Sequence, residues 1–278
     1  VRASDKNLPD TTDDVIAGSS VLVTGGGTGI GKACAAWLAA NGAAVTICGR
    51  TEATLSAATD EIGKVAAGGG SVRYSIADTT NEDDVVRVIE ETAKQGPLLG
   101  CVANAGGGGG MAPYGKLETS EFLRVLHVNA LSTFLCLKHS LPRMIEHGGG
   151  SFVAISSIAG QITHPFFGAY GPGKAALEQI VRNAADEYGS TGVRCNAVRP
   201  GFISTEIMSH IPRDSSIYDS YIQNTPLGCV GDPEDVAELV GFLLSAKSRW
   251  ITGQVFNVDG GHSLRRGPDF SVFAPPLL

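Results

Sequence analysis

Apolar positions along this 278-residue chain fall into two kinds of segment that alternate. Short runs rich in β-branched residues occur at "SVLVTG" (20–25), "AAVTIC" (43–48), "SVRYSIA" (71–77), "LLGCVANAG" (98–106), "SFVAISS" (151–157), "VRCNAVRPG" (193–201) and "QVFNVDGG" (254–261). Between them, apolar residues recur at helical spacing at about 29–41, 51–67, 80–95, 118–146 and 232–245, and "AALEQIVRNAADEY" beyond position 174 is strongly helical. Strict alternation of this kind predicts an α/β protein, a parallel sheet of about seven strands with helices on both faces. Ligands of such a sheet bind at the carboxyl ends of its strands, near the point where strand order reverses. Residues 1–14 are polar and without periodicity and read as a mobile tail. Residues 15–262 read as a single domain without internal repeats, and 263–278 as an extended C-terminal arm.

Composition narrows the partners. At 43% hydrophobic and 18% charged the chain is an ordinary globular protein, and a net charge of −7 offers no basic footprint for nucleic acid. No apolar run approaches the length of a membrane span. The six cysteines have no C-x-x-C pairing or metal-ligand spacing, so no metal site is expected. Cys48, Cys101 and Cys195 lie in or beside strand-like runs, which predicts buried, reduced thiols in a cytoplasmic protein.

The 37 glycines cluster at 25–31, 68–70, 106–110 and 148–150 and so mark loops. The first cluster, "TGGGTGIG" (24–31), follows the first strand and opens the first helix. Gly25, Gly29 and Gly31, with Thr28 and Ile30 between them, permit a tight turn and let bare backbone approach a pyrophosphate at the helix N-terminus. At the end of the second strand, where a carboxylate would bond a ribose 2′-hydroxyl, the chain reads "ICGRTE". Gly49 holds the expected acidic place and Arg50 follows it, a guanidinium suited to a 2′-phosphate, so NADP is favoured over NAD. Glu52 could instead neutralise Arg50.

One stretch contradicts itself. "GAYGPGKAAL" (168–177) places Tyr170 and Lys174 one helical turn apart, yet Pro172 and Gly173 between them are poor residues for a helix interior. Taken with the glycine loop, the whole run of motifs resembles the short-chain dehydrogenase/reductase family over about 15–262. The glycine loop matches that family's T-G-x-x-x-G-x-G, and Asn104, Ala105 and Gly106 match its N-A-G. "HVNA" supplies Asn129, and Ser157 is followed thirteen residues later by the Y-x-x-x-K of Tyr170 and Lys174. "RPGFIST" supplies Pro200, Gly201, Ile203 and Thr205.

The resemblance implies a Rossmann-type doubly wound sheet and a helix that begins near Tyr170, which would put Pro172 in the first turn, where a missing N–H costs nothing. It also implies cofactor contacts for the glycine loop, for Asp78 near the adenine, for Asn104–Gly106, for Lys174 on the nicotinamide ribose and for 200–205. Tyr170 becomes the expected acid/base in hydride exchange between a carbonyl and a secondary alcohol, with Lys174 lowering its pKa. Ser157 would donate to the substrate oxygen, and Asn129, at a kink in the fourth helix, would hold a relaying water. His164 is expected outside catalysis, and His127 to pack between helices.

Three segments are expected to line the substrate pocket: 107–116, with the glycine run as its mobile edge, 161–168, and a lid at about 206–227. Met111, Phe166, Phe167 and Ile207 suggest an apolar wall and a lipophilic ketone, steroid-like molecule or acyl thioester. The alternatives are reduction of an enoyl thioester C=C bond on the same fold, and a cofactor-sensing regulator without turnover. The family also implies a homotetramer built through the fourth and fifth helices and the final strand.

Overall fold

The computed structural model describes residues 16–208 and 211–265, apart from the side chain of Ile207. The expected tail, most of the C-terminal arm and the wall position assigned to Ile207 therefore lie outside the described residues. Seven strands form: β1 (Ser20–Thr24), β2 (Ala44–Gly49), β3 (Ser71–Ile76), β4 (Leu98–Ala103), β5 (Gly150–Ile155), β6 (Val193–Pro200) and β7 (Val255–Val258). They make one sheet in the order β3-β2-β1-β4-β5-β6-β7, with every neighbouring pair parallel. The order reverses between β1 and β4, which sets the binding crevice at their carboxyl ends.

Eight α-helices occur among the described residues: α1 (Gly29–Ala40), α2 (Glu52–Gly63), α3 (Glu82–Ala93), α4 (Thr119–Leu126), α5 (Ser132–Glu146), α6 (Tyr170–Tyr188), α7 (Ser216–Asn224) and α8 (Pro233–Leu244). All five residues of β1 are buried because both sheet faces are covered. Val21 and Val23 enter a core shared with α1, α2 and α8, whereas Leu22 between them enters the opposite core, under α3, α5 and α6. Cys34, Cys48, Cys101, Cys136 and Cys195 are free and buried, while Cys229 is free and exposed. Burial pushes the Cys34 and Cys195 thiols up to about 12, so they stay protonated.

Departures from the periodicity have local causes. The helix expected to 67 stops at Gly63, and the chain then turns through Gly68 and Gly69 with φ of +59° and +87°. The stretch 118–146 is two helices joined by a wider, π-type turn at His127–Leu131. His127 is exposed on that turn and does not pack between helices. The lid contains a helix that the periodicity did not announce, α7, whose N-cap Ser215 accepts from the Tyr218 amide at 3.2 Å.

Candidate active site

The glycine loop crosses from β1 to α1 at the crevice. Gly25 and Gly29 have φ of +64° and +49°, and a Cβ on Gly31 would be driven into the Gly25 carbonyl oxygen. Thr28 caps α1 without a side-chain hydrogen bond, and the first turn carries no acidic residue. The leading amides are thus left for an anion, and a dinucleotide pyrophosphate fits this helix end. Ile30 is partly buried against the core, so its main chain, not its side chain, is what the loop offers.

Two side chains brace the loop, Asn104 just after β4 and Thr24 at the end of β1. Asn104 Nδ2 donates to the carbonyls of Thr24 and Gly25 at 3.0 and 3.1 Å. The Thr24 hydroxyl accepts from the Asn104 and Ala105 amides at 3.0 and 2.9 Å. Thr24 is a brace the sequence reading did not single out, although it begins the T-G motif. A Cβ on Gly29 would lie 3.0 Å from Thr205, so the loop and the segment after β6 converge. Pro200 ends β6, and a Cβ on Gly201 would lie 2.7 Å from the Asp259 Cα. The Ile203 side chain is 5% exposed and belongs to the core, which leaves its backbone for a ligand.

At the end of β2, Arg50 is exposed and makes no ion pair among the described residues. Glu52 instead accepts from the Tyr74 hydroxyl at 3.2 Å. A Cβ on Gly49 would meet only Leu55 Cδ2, at 3.6 Å. Asp78 uses Oδ1 to accept from the Thr80 amide and hydroxyl at 2.9 and 2.7 Å.

Helix α6 begins at Tyr170, so Pro172 does fall in the first turn. Gly173 sits in register, its amide bonded to the Ala169 carbonyl at 2.8 Å, and a Cβ there would press to 3.2 Å on Asn129. Lys174 is 4% exposed, donates to the Ile155 carbonyl at 2.8 Å and lies 5.7 Å from the Tyr170 ring centroid. Burial lowers its pKa to about 8, and the Glu178 carboxylate opposes that shift. Tyr170 behaves differently from the expectation. Burial of its phenol raises its pKa, the Ser157 hydrogen bond lowers it, and Tyr221 raises it further. Enclosure is the largest of these causes, so the resting tyrosine is a neutral phenol.

Asn129 is fully buried on the π-type turn. Its Nδ2 donates to the Val125 and Gly107 carbonyls, each at 2.8 Å, and its Oδ1 accepts from the Gly107 amide at 3.2 Å. A Cβ on Gly106 would lie 2.8 Å from Asn129 Oδ1 and 3.1 Å from Lys174 Nζ, so this bare backbone lies between the two. The glycine run is held further out as well. Gly110 donates to Glu121 at 3.0 Å, and Arg124 donates to the Gly108 carbonyl at 3.2 Å. Arg124 first, and then the Gly110 amide, hold the Glu121 carboxyl down at about 2. Three side chains, Asn129, Glu121 and Arg124, thus hydrogen-bond to the run expected to form a mobile edge.

The three pocket segments meet in part. Ala112 bridges to Phe167, and the Tyr114 hydroxyl donates to the Gly168 carbonyl at 2.9 Å. Phe167 packs on Tyr170, with ring centroids 6.2 Å apart, and on His164 at 5.1 Å. His164 Nδ1 lies 2.9 Å from the Ile162 carbonyl. Met111 and Phe166 are 72% and 57% exposed, so of the expected wall they form the outer rim. On the lid, Tyr221 stacks on Phe202 at 4.4 Å.

Comparison with known proteins fits this geometry. A family model described as enoyl-(acyl carrier protein) reductase matches residues 25–263. A cis-4-hydroxycyclohexanecarboxylate dehydrogenase of Sinomonas cyclohexanicum is 33% identical over 87% of this chain and 95% of its own length. The structure of a short-chain type dehydrogenase/reductase from Mycobacterium ulcerans superposes with a TM-score of 0.88 at 44% identity, covering 94% of this chain and 95% of that one. The chain belongs to the short-chain dehydrogenase/reductase family. A 7α-hydroxysteroid dehydrogenase of this fold, complexed with NADH and 7-oxo glycochenodeoxycholic acid, superposes at 0.83 with 30% identity, covering 88% and 94%. This short-chain dehydrogenase/reductase is accordingly an NAD(P)-dependent enzyme acting on CH–OH groups. Among its described residues no helix is long and apolar enough to cross a membrane.

Proposed function

We propose that this enzyme interconverts a lipophilic cyclic ketone and its secondary alcohol with NADP(H), Tyr170 serving as the acid/base. The observation that carries the reading is the convergence of Ser157, Tyr170 and a 4% exposed Lys174 at one helix start. Bound NADP(H) supplies or accepts the hydride. Tyr170 gives its proton to the substrate oxygen as negative charge develops there, and because burial raises the phenol's pKa the transfer relies on the groups that stabilise the phenolate it leaves. Ser157 donates a hydrogen bond to the same oxygen. Lys174 stabilises the phenolate that the proton transfer leaves, and in the oxidising direction favours its formation. The cyclic substrate is suggested by two relatives, one named for a hydroxycyclohexane acid and one complexed with an oxo bile acid. Phe167 beside Tyr170 provides an apolar wall for it.

Arg50, with Glu52 engaged by Tyr74, supports the NADP preference. Nucleotide fluorescence titration is expected to give NADPH binding about tenfold tighter than NADH, a difference of about 1.4 kcal/mol. Arg50→Ala should erase it, and Gly49→Asp, whose Cβ has room, should reverse it. Equal affinities unaffected by Arg50→Ala would refute the phosphate contact. The name of the matching family model favours one second reading, C=C reduction of an enoyl thioester. Turnover of crotonyl-CoA, with none of cyclohexanone, would establish it. Leu123, Phe134 and Ile145 are exposed on α4 and α5 and Trp250 precedes β7, which supports a homotetramer to be measured by light scattering.

A further inference from the structure

Tyr170, Lys174 and Glu178 recur at four-residue spacing along α6, and so share one face. The first two form the reaction centre; the third is 2% exposed and outside it. Arg199 of β6 meets the Glu178 carboxylate side-on, with Nε to Oε1 at 2.6 Å and Nη2 to Oε2 at 2.5 Å. The remaining Nη1 donates to Gln161 Oε1 at 2.8 Å. Ser156 Oγ donates to Glu178 Oε1 at 2.7 Å. A Cβ on Gly160 would come within 2.7 Å of the same oxygen, so a bare residue is what admits the carboxylate there.

Each bond ends on a segment that carries part of the site. Ser156 immediately precedes Ser157, Gln161 opens the loop that leads to Phe167, and Arg199 precedes Pro200 and Gly201. The anion also sits one turn from the buried Lys174 ammonium. Stability alone does not account for such a pair, because well-packed apolar residues often replace a buried ion pair without loss.

We propose that Glu178 and Arg199 are a positioning pair. They tie the Ser157 strand end, the substrate-facing loop and the 200–205 segment to the catalytic helix, and Glu178 is the counter-charge of Lys174. This rests on the reading of Ser157, Tyr170 and Lys174 as the catalytic groups. The groups around Lys174 are few. Tyr170 and Glu178 come from its own helix, with Arg199 on the far side of Glu178 and the half-exposed Arg182, one turn further along α6, 4.0 Å from Glu178 Oε2. The Ile155 carbonyl and Ser156 come from the β5 end, and the neutral Asn129 from the π-type turn, while Glu121 and Arg124 of α4 are turned to the glycine run.

The test compares the full-length enzyme with Glu178→Gln, with the double variant Glu178→Met/Arg199→Met, and with Tyr170→Phe. Each is followed by thermal unfolding, by cyclohexanone reduction from pH 6.5 to 9.5, and by fluorescence titration with NADPH and NADH over the same range. The double variant should unfold cooperatively at or above the wild-type temperature, yet lose kcat by about tenfold to a hundredfold with a much smaller change in KM. In Glu178→Gln the Lys174 ammonium loses its carboxylate while the cations that faced it, Arg199 and the more exposed Arg182, remain. The alkaline limb of the rate profile, and the same limb of nucleotide binding, should therefore move to lower pH. A folded double variant with kcat within about twofold of wild type, together with unmoved limbs in Glu178→Gln, would overturn the proposal. Retained turnover in Tyr170→Phe would instead overturn the catalytic assignment beneath it, so the two failures are distinguishable.

Discussion

The chain has two glycine runs at its site, 25–31 and 106–110, and they hold their shapes for opposite reasons. In the first the backbone itself demands glycine. Gly25 and Gly29 occupy left-handed φ, and Gly31 lies against the Gly25 carbonyl with no space for a Cβ. In the second no glycine has a left-handed φ; Gly107, Gly108 and Gly110 face open space, while a Cβ on Gly106 or Gly109 would meet side chains, Asn129 in one case and Glu121 and Val125 in the other. That run keeps its course because Asn129, Glu121 and Arg124 hold its amides and carbonyls. Similar composition thus yields a rigid cradle where sterics decide, and a tethered edge where neighbouring side chains decide.

The comparison can be broken in order of effect. Gly31→Ala should be the most damaging, costing about 3 kcal/mol of stability in urea unfolding and weakening NADPH binding by about a hundredfold. A wild-type midpoint would mean that the loop relaxes freely and that sterics do not define it. Glu121→Ala should release the outer glycines, raising KM for a ketone about fivefold while kcat holds. Hydrogen exchange at 107–110 should speed up in the same variant, and unchanged exchange would show that the tether is idle. Smallest is Gly108→Ala, where stability should stay within about 0.5 kcal/mol of wild type and kcat/KM within about twofold. A large loss there would reveal a demand for glycine at 108 that the open space around it does not announce.

Much of the fold was legible because parallel strands buried on both faces must be apolar throughout, and the helices between them must not be. The start of α6 at Tyr170 came from the resemblance, and Pro172 falls in its first turn, where the missing N–H costs nothing. The kink that buries Asn129 came from the resemblance, and the structure realises it as a π-type turn. Other features left no periodic trace. Asn104, expected as a cofactor contact, has its amide group committed to bracing the glycine loop. The bonds from Glu121 and Arg124 to the glycine run, 11 and 16 positions away, have no counterpart in the pattern either. The pKa of Tyr170 went the other way from the expectation, because spacing reports that a lysine is near but not how deeply the phenol is enclosed.

What the sequence determined by itself was local and periodic: the alternation of strands and helices, the glycine cradle after β1, and the four-residue spacing of Tyr170 and Lys174. These depend on φ/ψ preferences and on residues a few positions apart, which composition and spacing encode directly. Only the tertiary structure decided which distant side chains meet. Glu178 and Arg199 are 21 positions apart, and Thr24 lies 80 from the Asn104 amide it accepts. Such bonds are set by how the sheet order and the helix layers bring strand ends together, and a linear pattern of apolar and polar residues carries no record of that.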